Sequence, residues 1–405
     1  MKRLLPAGLV TLVLLFACAC GRPDGTRQEA FTRSTLADGS VLVTYRSLPG
    51  ELLVKKDLTI GVADGEPEYL LGDVRGIDAT SDGTIYIFDY QPMEIRAYNN
   101  DGRYIGVVAG RGDGPGEIRE ANGFKIVGDS LIWIHDYRKD GYTAIDLNGA
   151  EKDRVPLLRR GYDYIWNGDI DNAGRIWKPD AKYPRSGAPE GGLRSASGRL
   201  FMTSIHPATK ESDSVFVGIQ ENRGYVVVGS GGWAYYNIPF DPPDVVRVDP
   251  ENGFWRVDES DYRIRHLDSK GDTVLTIEAD VAPIPVTSTD HESYIASIVE
   301  RNPDRRATAE AVVALMPDQK PAIQDVTVDG TGRLWVRRTT EAGADARFDV
   351  FTREGVLLAS VALDFPVNGY MPIRVRGDRI YALSTDSLGV PSVVRTEQFS
   401  LSRGA

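Results

Sequence analysis

One short motif returns six times along this chain, and no other feature restricts its fold as much. Each copy is a turn containing Gly or Asp, then an apolar residue, an aromatic ring and a polar exit. The copies run from Asp82 to Asp89, Gly128 to Asp136, Gly174 to Asp180, Asn252 to Asp258, Gly332 to Val336 and Gly377 to Ser384. The ring falls at Tyr86, Trp133, Trp177, Trp255, Trp335 and Tyr381, so four of the six tryptophans occupy one position. Successive rings lie 47, 44, 78, 80 and 46 residues apart. Three of those spacings match a four-stranded repeat unit of about 40–50 residues. The two long spacings hold insertions.

The residues around the motif supply the other strands. A short apolar strand precedes the turn, as at Gly76 to Ala79 and Asp325 to Val328. A second hairpin follows it: Glu94 to Tyr98 leads through Asn100-Asp101-Gly102 into Tyr104 to Val108, and Phe348 to Phe351 leads through Arg353-Glu354-Gly355 into Val356 to Leu358. Alternating runs joined by Gly-bearing turns are hairpins. Four strands repeated six times predict an all-β chain: a six-bladed β-propeller of four-stranded antiparallel blades, with a small helical insertion near 287–317. The recurrent ring is expected to fill the wedge between adjacent sheets. The last unit, Ile373 to Phe399, shows about three strands. An N-terminal strand would complete it and hide an edge; Val41 to Arg46 is the candidate, with Leu52 to Val62 leading into the first unit.

These units resemble the NHL-type repeats of exported bacterial six-bladed β-propellers over roughly residues 40 to 400. The most specific match is Arg111-Gly112-Asp113-Gly114-Pro115-Gly116-Glu117, and Ala63-Asp64-Gly65-Glu66-Pro67-Glu68-Tyr69 adds to it. The resemblance implies fold and export, and little chemistry.

The first residues carry an address. Lys2 and Arg3 precede an apolar run from Leu4 to Phe16, and Ala17-Cys18-Ala19-Cys20-Gly21 follows. That is a signal-peptide pattern. It resembles a lipoprotein signal, in which Cys18 or Cys20 receives the lipid and becomes the new N-terminus. The organisation expected is a lipoprotein-type signal peptide over 1–20, a flexible tether over 21–37 and the propeller over 38–405. These are the only two cysteines among 405 residues, so burial rather than disulfides must hold the body together. The expected location is the cell envelope, anchored by lipid to the outer membrane or facing the periplasm, as a monomer. A formal net charge of −11 argues against a nucleic-acid partner, which requires concentrated Lys and Arg.

Function is less visible. Four histidines stand in different units without ligand spacing. His291-Glu292 begins like a zinc-protease helix, but Ile295 occupies the place of the second His. No Gly-x-Ser-x-Gly elbow is present. The segment from Tyr183 to Asn237 reads as irregular, and its Trp233, Tyr235 and Tyr236 are candidate ligand-binding residues because long loops on rigid scaffolds carry function. Thr289-Asp290-His291-Glu292 reads as a capping box opening the insertion's first helix, and a second helix is expected from Arg305 to Leu315. The pair serves either as a lid on one face or as decoration on the rim. Asp89, Asp136, Asp180 and Asp258, each three residues after the ring, are expected to bond nearby backbone N–H groups.

Two function classes remain. The first is a non-enzymatic propeller that binds a protein partner or a small-molecule or glycan ligand at one face of the central channel, without a cofactor. The second is a hydrolase or lyase resembling the propeller lactonases, which use a channel-bound calcium; its metal candidates here are Asp78, Asp169, Asp249 and Asp325, on or near the first strands of their units.

Overall fold

The computed structural model describes residues 31–48, 50–158, 163–184 and 190–401, so Cys18, Cys20 and most of the tether lie outside the described residues. The turn motif builds each unit locally. Asp171 accepts the backbone N–H groups of Ala173 and Arg175, the Arg175 side chain, and the indole N–H of Trp177 at 2.8 Å. Asp329 repeats the arrangement with Thr331, Arg333 and Trp335. One carboxylate thus closes the turn and orients the ring. In the fourth copy the turn has the same length, but the Asp249 carboxylate accepts the Glu251 N–H and faces His266 and Arg353, and the indole N–H of Trp255 has no such partner. That ring instead stacks on His266, with centroids 4.4 Å apart.

These hairpins assemble into six sheets of four or more strands among the described residues. Their first strands are Val74–Ala79, Ala121–Val127, Asp169–Ile170, Val245–Val248, Ile323–Val328 and Arg374–Arg376. We number the sheets one to six in that order. Strands within each unit pair antiparallel. The buried apolar residues fall into six clusters, and each joins two neighbouring sheets: one with two, two with three, and so on to five with six. The sixth cluster carries Ile77, Ile85 and Ile87 of sheet one together with Tyr381, Leu383 and Val393 of sheet six, closing the cycle. The architecture is propeller-like and all-β apart from short helices. Each of the six recurrent rings belongs to a different cluster, and all are between 0% and 5% exposed. The motif recurs because each junction needs one large apolar body at the same register.

Closure differs from the sequence expectation. Val41–Tyr45 does not complete sheet six; it lies parallel to Thr273–Ala279 on the outer edge of sheet four. Glu51–Val54 lies parallel to Leu357–Leu363 on sheet five. Lys56–Ile60 then pairs antiparallel with Pro391–Thr396 and completes sheet six. Asp57 fixes this choice by pairing with Arg395, at 2.9 Å, and with Arg379. The described residues of 31–60 therefore form a strap along the outside of three consecutive sheets. It covers two edges whose unpaired N–H and C=O groups would otherwise be open.

The insertions also differ. The described residues from 190 to 237 are largely regular: Gly192–Ile205 and Ser212–Gly229 form a long antiparallel arm on sheet three, and Gly232–Asn237 adds a fifth strand. The first helix, α1, spans Ser288–Arg301 and is capped by Thr287 with Asp290 in a reciprocal capping box, two residues before the expected one. The second, α2, spans Arg306–Val313. The insertion meets the arm, where Arg223 donates to the carbonyl of Leu315 at 3.1 Å. It therefore packs on the arm of sheet three.

Candidate functional site

Directly paired residues on adjacent strands share one face of a sheet. Where the recurrent ring fills the wedge between two sheets, its partner on the innermost strand reaches the place where that wedge opens on the axis. The partners are Asp78, Lys125, Asp169, Arg247, Thr327 and Arg374, opposite Tyr86, Trp133, Trp177, Trp255, Trp335 and Tyr381. All six line a single central cavity of about 70 Å³. Sequence reasoning found Asp78 and Asp169 but missed Lys125, Arg247 and Arg374. The signal was available: the partner of each ring follows from counting back across the tight turn.

Sheets two, four and six contribute cations to this ring, sheets one and three carboxylates, and sheet five Thr327, with Asp325 two residues earlier on the same strand. Each cation reaches forward to the next sheet. Lys125 pairs with Asp169. Arg247 pairs with Asp325, two residues before Thr327, at 2.8 Å. Arg374 and Arg376 both hold Asp78, at 2.9 and 2.8 Å. Burial alone would raise the Asp78 carboxyl, but the two guanidinium groups hold it well below the usual carboxylate range. Burial, reinforced by Arg374 and Arg376, drives the Lys125 ammonium well down.

Aromatic groups cover the mouth of this cavity. Trp166 lines it and stacks on Tyr164, with centroids 4.4 Å apart. The Tyr164 and Tyr370 hydroxyls lie 2.7 Å apart. These residues precede the first strands of sheets three and six, which are opposite in the cycle, so the contact spans the axis. Gly123 makes room: its φ is +91°, and a Cβ there would lie 2.8 Å from both the Arg75 carbonyl oxygen and the Trp166 ring.

The four acids proposed as metal ligands do not converge. Asp78, Asp169 and Asp325 each face a cation on a neighbouring sheet. Asp249 lies in the turn after the first strand of sheet four, at ion-pair distance from His266 (2.9 Å) and Arg353 (2.7 Å). Among the described residues no group of three or more His, Cys, Asp or Glu side chains could hold a metal ion. Calcium requires six to eight oxygen ligands, so this donor set does not fit it. Trp233, Tyr235 and Tyr236 stand on the fifth strand of sheet three, away from the central cavity. Trp233 is 58% exposed, and the Tyr235 hydroxyl donates to Asn222.

The turn acids behave unequally. Asp89 accepts the N–H groups of Gly72, Asp73 and Gln91, and Asp136 accepts those of Arg119, Glu120, Arg138 and Lys139. Asp258 departs from the expectation and takes Arg265 and Arg256. The Gly-Pro-Gly-Glu loop is a self-bonded turn, in which Glu117 accepts the N–H of Gly114 at 2.7 Å and Lys139 binds the carbonyls of Gly114 and Glu117.

No family model matches this chain, and no curated protein does. Solved structures do match. Virginiamycin B lyase from Staphylococcus aureus is 12% identical, with 80% of this chain and 95% of that chain covered and a TM-score of 0.37. A member of the DUF4221 family from Bacteroides vulgatus is 8% identical, covering 84% and 97% with a TM-score of 0.44. Regucalcin from Agrobacterium tumefaciens, a calcium-binding protein, is 12% identical, covering 87% and 99% with a TM-score of 0.32.

Proposed function

We propose that the chain is an exported, lipid-anchored six-bladed β-propeller with NHL-like repeats, which binds a small ligand or a partner at the mouth of its central channel and does not turn it over. One observation carries this reading. Every carboxylate of the channel ring is paired with an Arg or Lys side chain from a neighbouring sheet, which leaves an ordered polar floor under an aromatic mouth. Such a floor can orient a ligand by hydrogen bonds. A divalent-cation hydrolase needs carboxylates free to converge on a metal, and these are spent on Arg and Lys. The signal segment supports export, and lipid on Cys18 or Cys20 would attach the body to the envelope through the tether.

Thermal-shift screening of the purified protein against a small-molecule library, with and without calcium, tests the reading. Ligands should raise the melting temperature without calcium, and Trp166→Ala should abolish the shift. Calcium-dependent turnover of a lactone or ester that is lost in Asp78→Asn would overturn it.

A further inference from the structure

Arg247 lines a second cavity besides the central one. This cavity measures about 240 Å³ and lies between sheets three and four. Asp163, Gln220, Asp244 and Arg247 supply its polar groups, and Leu200 and Val246 part of its apolar wall. Each formal charge already has a partner. Asp163 pairs with Lys178 at 2.7 Å. Asp244 lies 3.5 Å from Arg256, whose Nε faces Asp258 at 3.1 Å and whose other donors reach the Val217 and Ile219 carbonyls. Arg247 gives one terminal nitrogen to Asp325 and the other to the Val246 carbonyl, while its Nε is buried without a hydrogen-bond partner among the described residues.

We propose that this cavity is the binding site for a neutral polyhydroxylated ligand, a sugar ring, which extends the channel-mouth reading and rests on it. A charged ligand would bring an uncompensated charge into a space whose charges are already balanced. A hydroxyl group both donates and accepts. It can donate to the carboxylates of Asp163 and Asp244 and accept from Arg247 Nε, and the C–H face of the ring can lie on Leu200 and Val246. The Gln220 side-chain oxygen accepts the Tyr183 hydroxyl at 2.9 Å. The groups facing Asp244 are Arg256, Asp258, Arg265 and Gln220. Burial raises its carboxyl to about 6 against the opposing pull of Arg256. The ionised form is the better acceptor for a sugar hydroxyl, so affinity should rise with pH through that value.

Isothermal titration of the full chain with methyl α-glucoside, methyl β-galactoside and N-acetylglucosamine tests this, alongside acetate and ethylammonium as charged probes. At least one sugar should bind, several-fold more tightly at pH 7.5 than at pH 5. Affinity should fall at least tenfold in Gln220→Leu and in Ala181→Phe, which fills the cavity, with thermal melts confirming that each variant folds. If charged probes bind and sugars do not, the sugar assignment falls while ligand binding at the mouth stands. If sugar binding survives Ala181→Phe, the site lies elsewhere and the assignment falls. If neither class binds, the sugar assignment falls, and the library screen with Trp166→Ala decides the mouth reading separately.

Discussion

Arg374 of sheet six donates to Asp78 of sheet one at 2.9 Å, joining the last unit of the chain to the first where the cycle closes. Arg376 adds two more bonds to the same carboxylate and one to the Ile126 carbonyl of sheet two. Three sheets therefore meet at one buried acid. Asp78→Asn strands two guanidinium groups, and breaking one side of a buried pair costs about 3–5 kcal/mol. Chemical denaturation should show a loss of that order.

The wedge rings should be among the most costly residues to remove. Trp335 is fully buried between sheets five and six and bonded to Asp329. Trp335→Ala should cost about 3–5 kcal/mol. Trp335→Phe should cost less, because it keeps most of the apolar body and loses the bond to Asp329. Equilibrium unfolding of the two variants separates these contributions.

Gly123→Ala tests the mouth. The left-handed backbone at this position costs a residue bearing a Cβ about 1–3 kcal/mol, and the new methyl would displace Trp166. Reduced stability with altered near-ultraviolet circular dichroism is the expected result.

The strap predicts an ordered response to truncation. Removing residues through 45 uncovers the edge of sheet four and leaves sheet six complete. That variant should fold, melt at lower temperature and self-associate, as measured by light scattering. Removing residues through 60 takes away the closing strand of sheet six and should prevent cooperative folding.

The pH dependence of stability isolates Asp244. Its folded value near 6 exceeds the unfolded value of about 3.9, so between these values the folded state binds more protons and stability falls as pH rises. His135 slopes the other way: burial, with Lys178 adding to it, lowers its imidazole to about 4, so its contribution is lost as pH falls below about 6.5. Subtracting the wild-type profile from that of Asp244→Asn removes the His135 contribution. The difference should grow in favour of the variant from pH 4 to 6, by roughly 2 kcal/mol, and stay flat above.

The repeat was legible because a turn acid, a Gly and a ring at fixed offsets leave a local trace six times. The channel ring was half legible. Asp78 and Asp169 stand out as acids on first strands, while Lys125, Arg247 and Arg374 carry no signal of their own apart from their register against the rings. The strap was not legible, because an alternating strand such as Val41–Tyr45 suits any open edge and only tertiary packing selects sheet four. Asp57, between Arg379 and Arg395, carries the choice for sheet six, and charge partners more than 300 residues away leave no local pattern. The arm was misread because its Gly and Ser residues resemble loop composition, whereas Gly218, with φ +127°, is where Arg256 enters against the strand.

Charge exchange tests the central claim, that the channel is held by ion pairs between neighbouring sheets. Lys125→Asp and Asp169→Lys should each destabilise the fold strongly, and the double variant should recover most of the loss in thermal melts, as expected for a direct pair. If the two losses simply add in the double variant, Lys125 and Asp169 are not coupled and the paired ring is wrong.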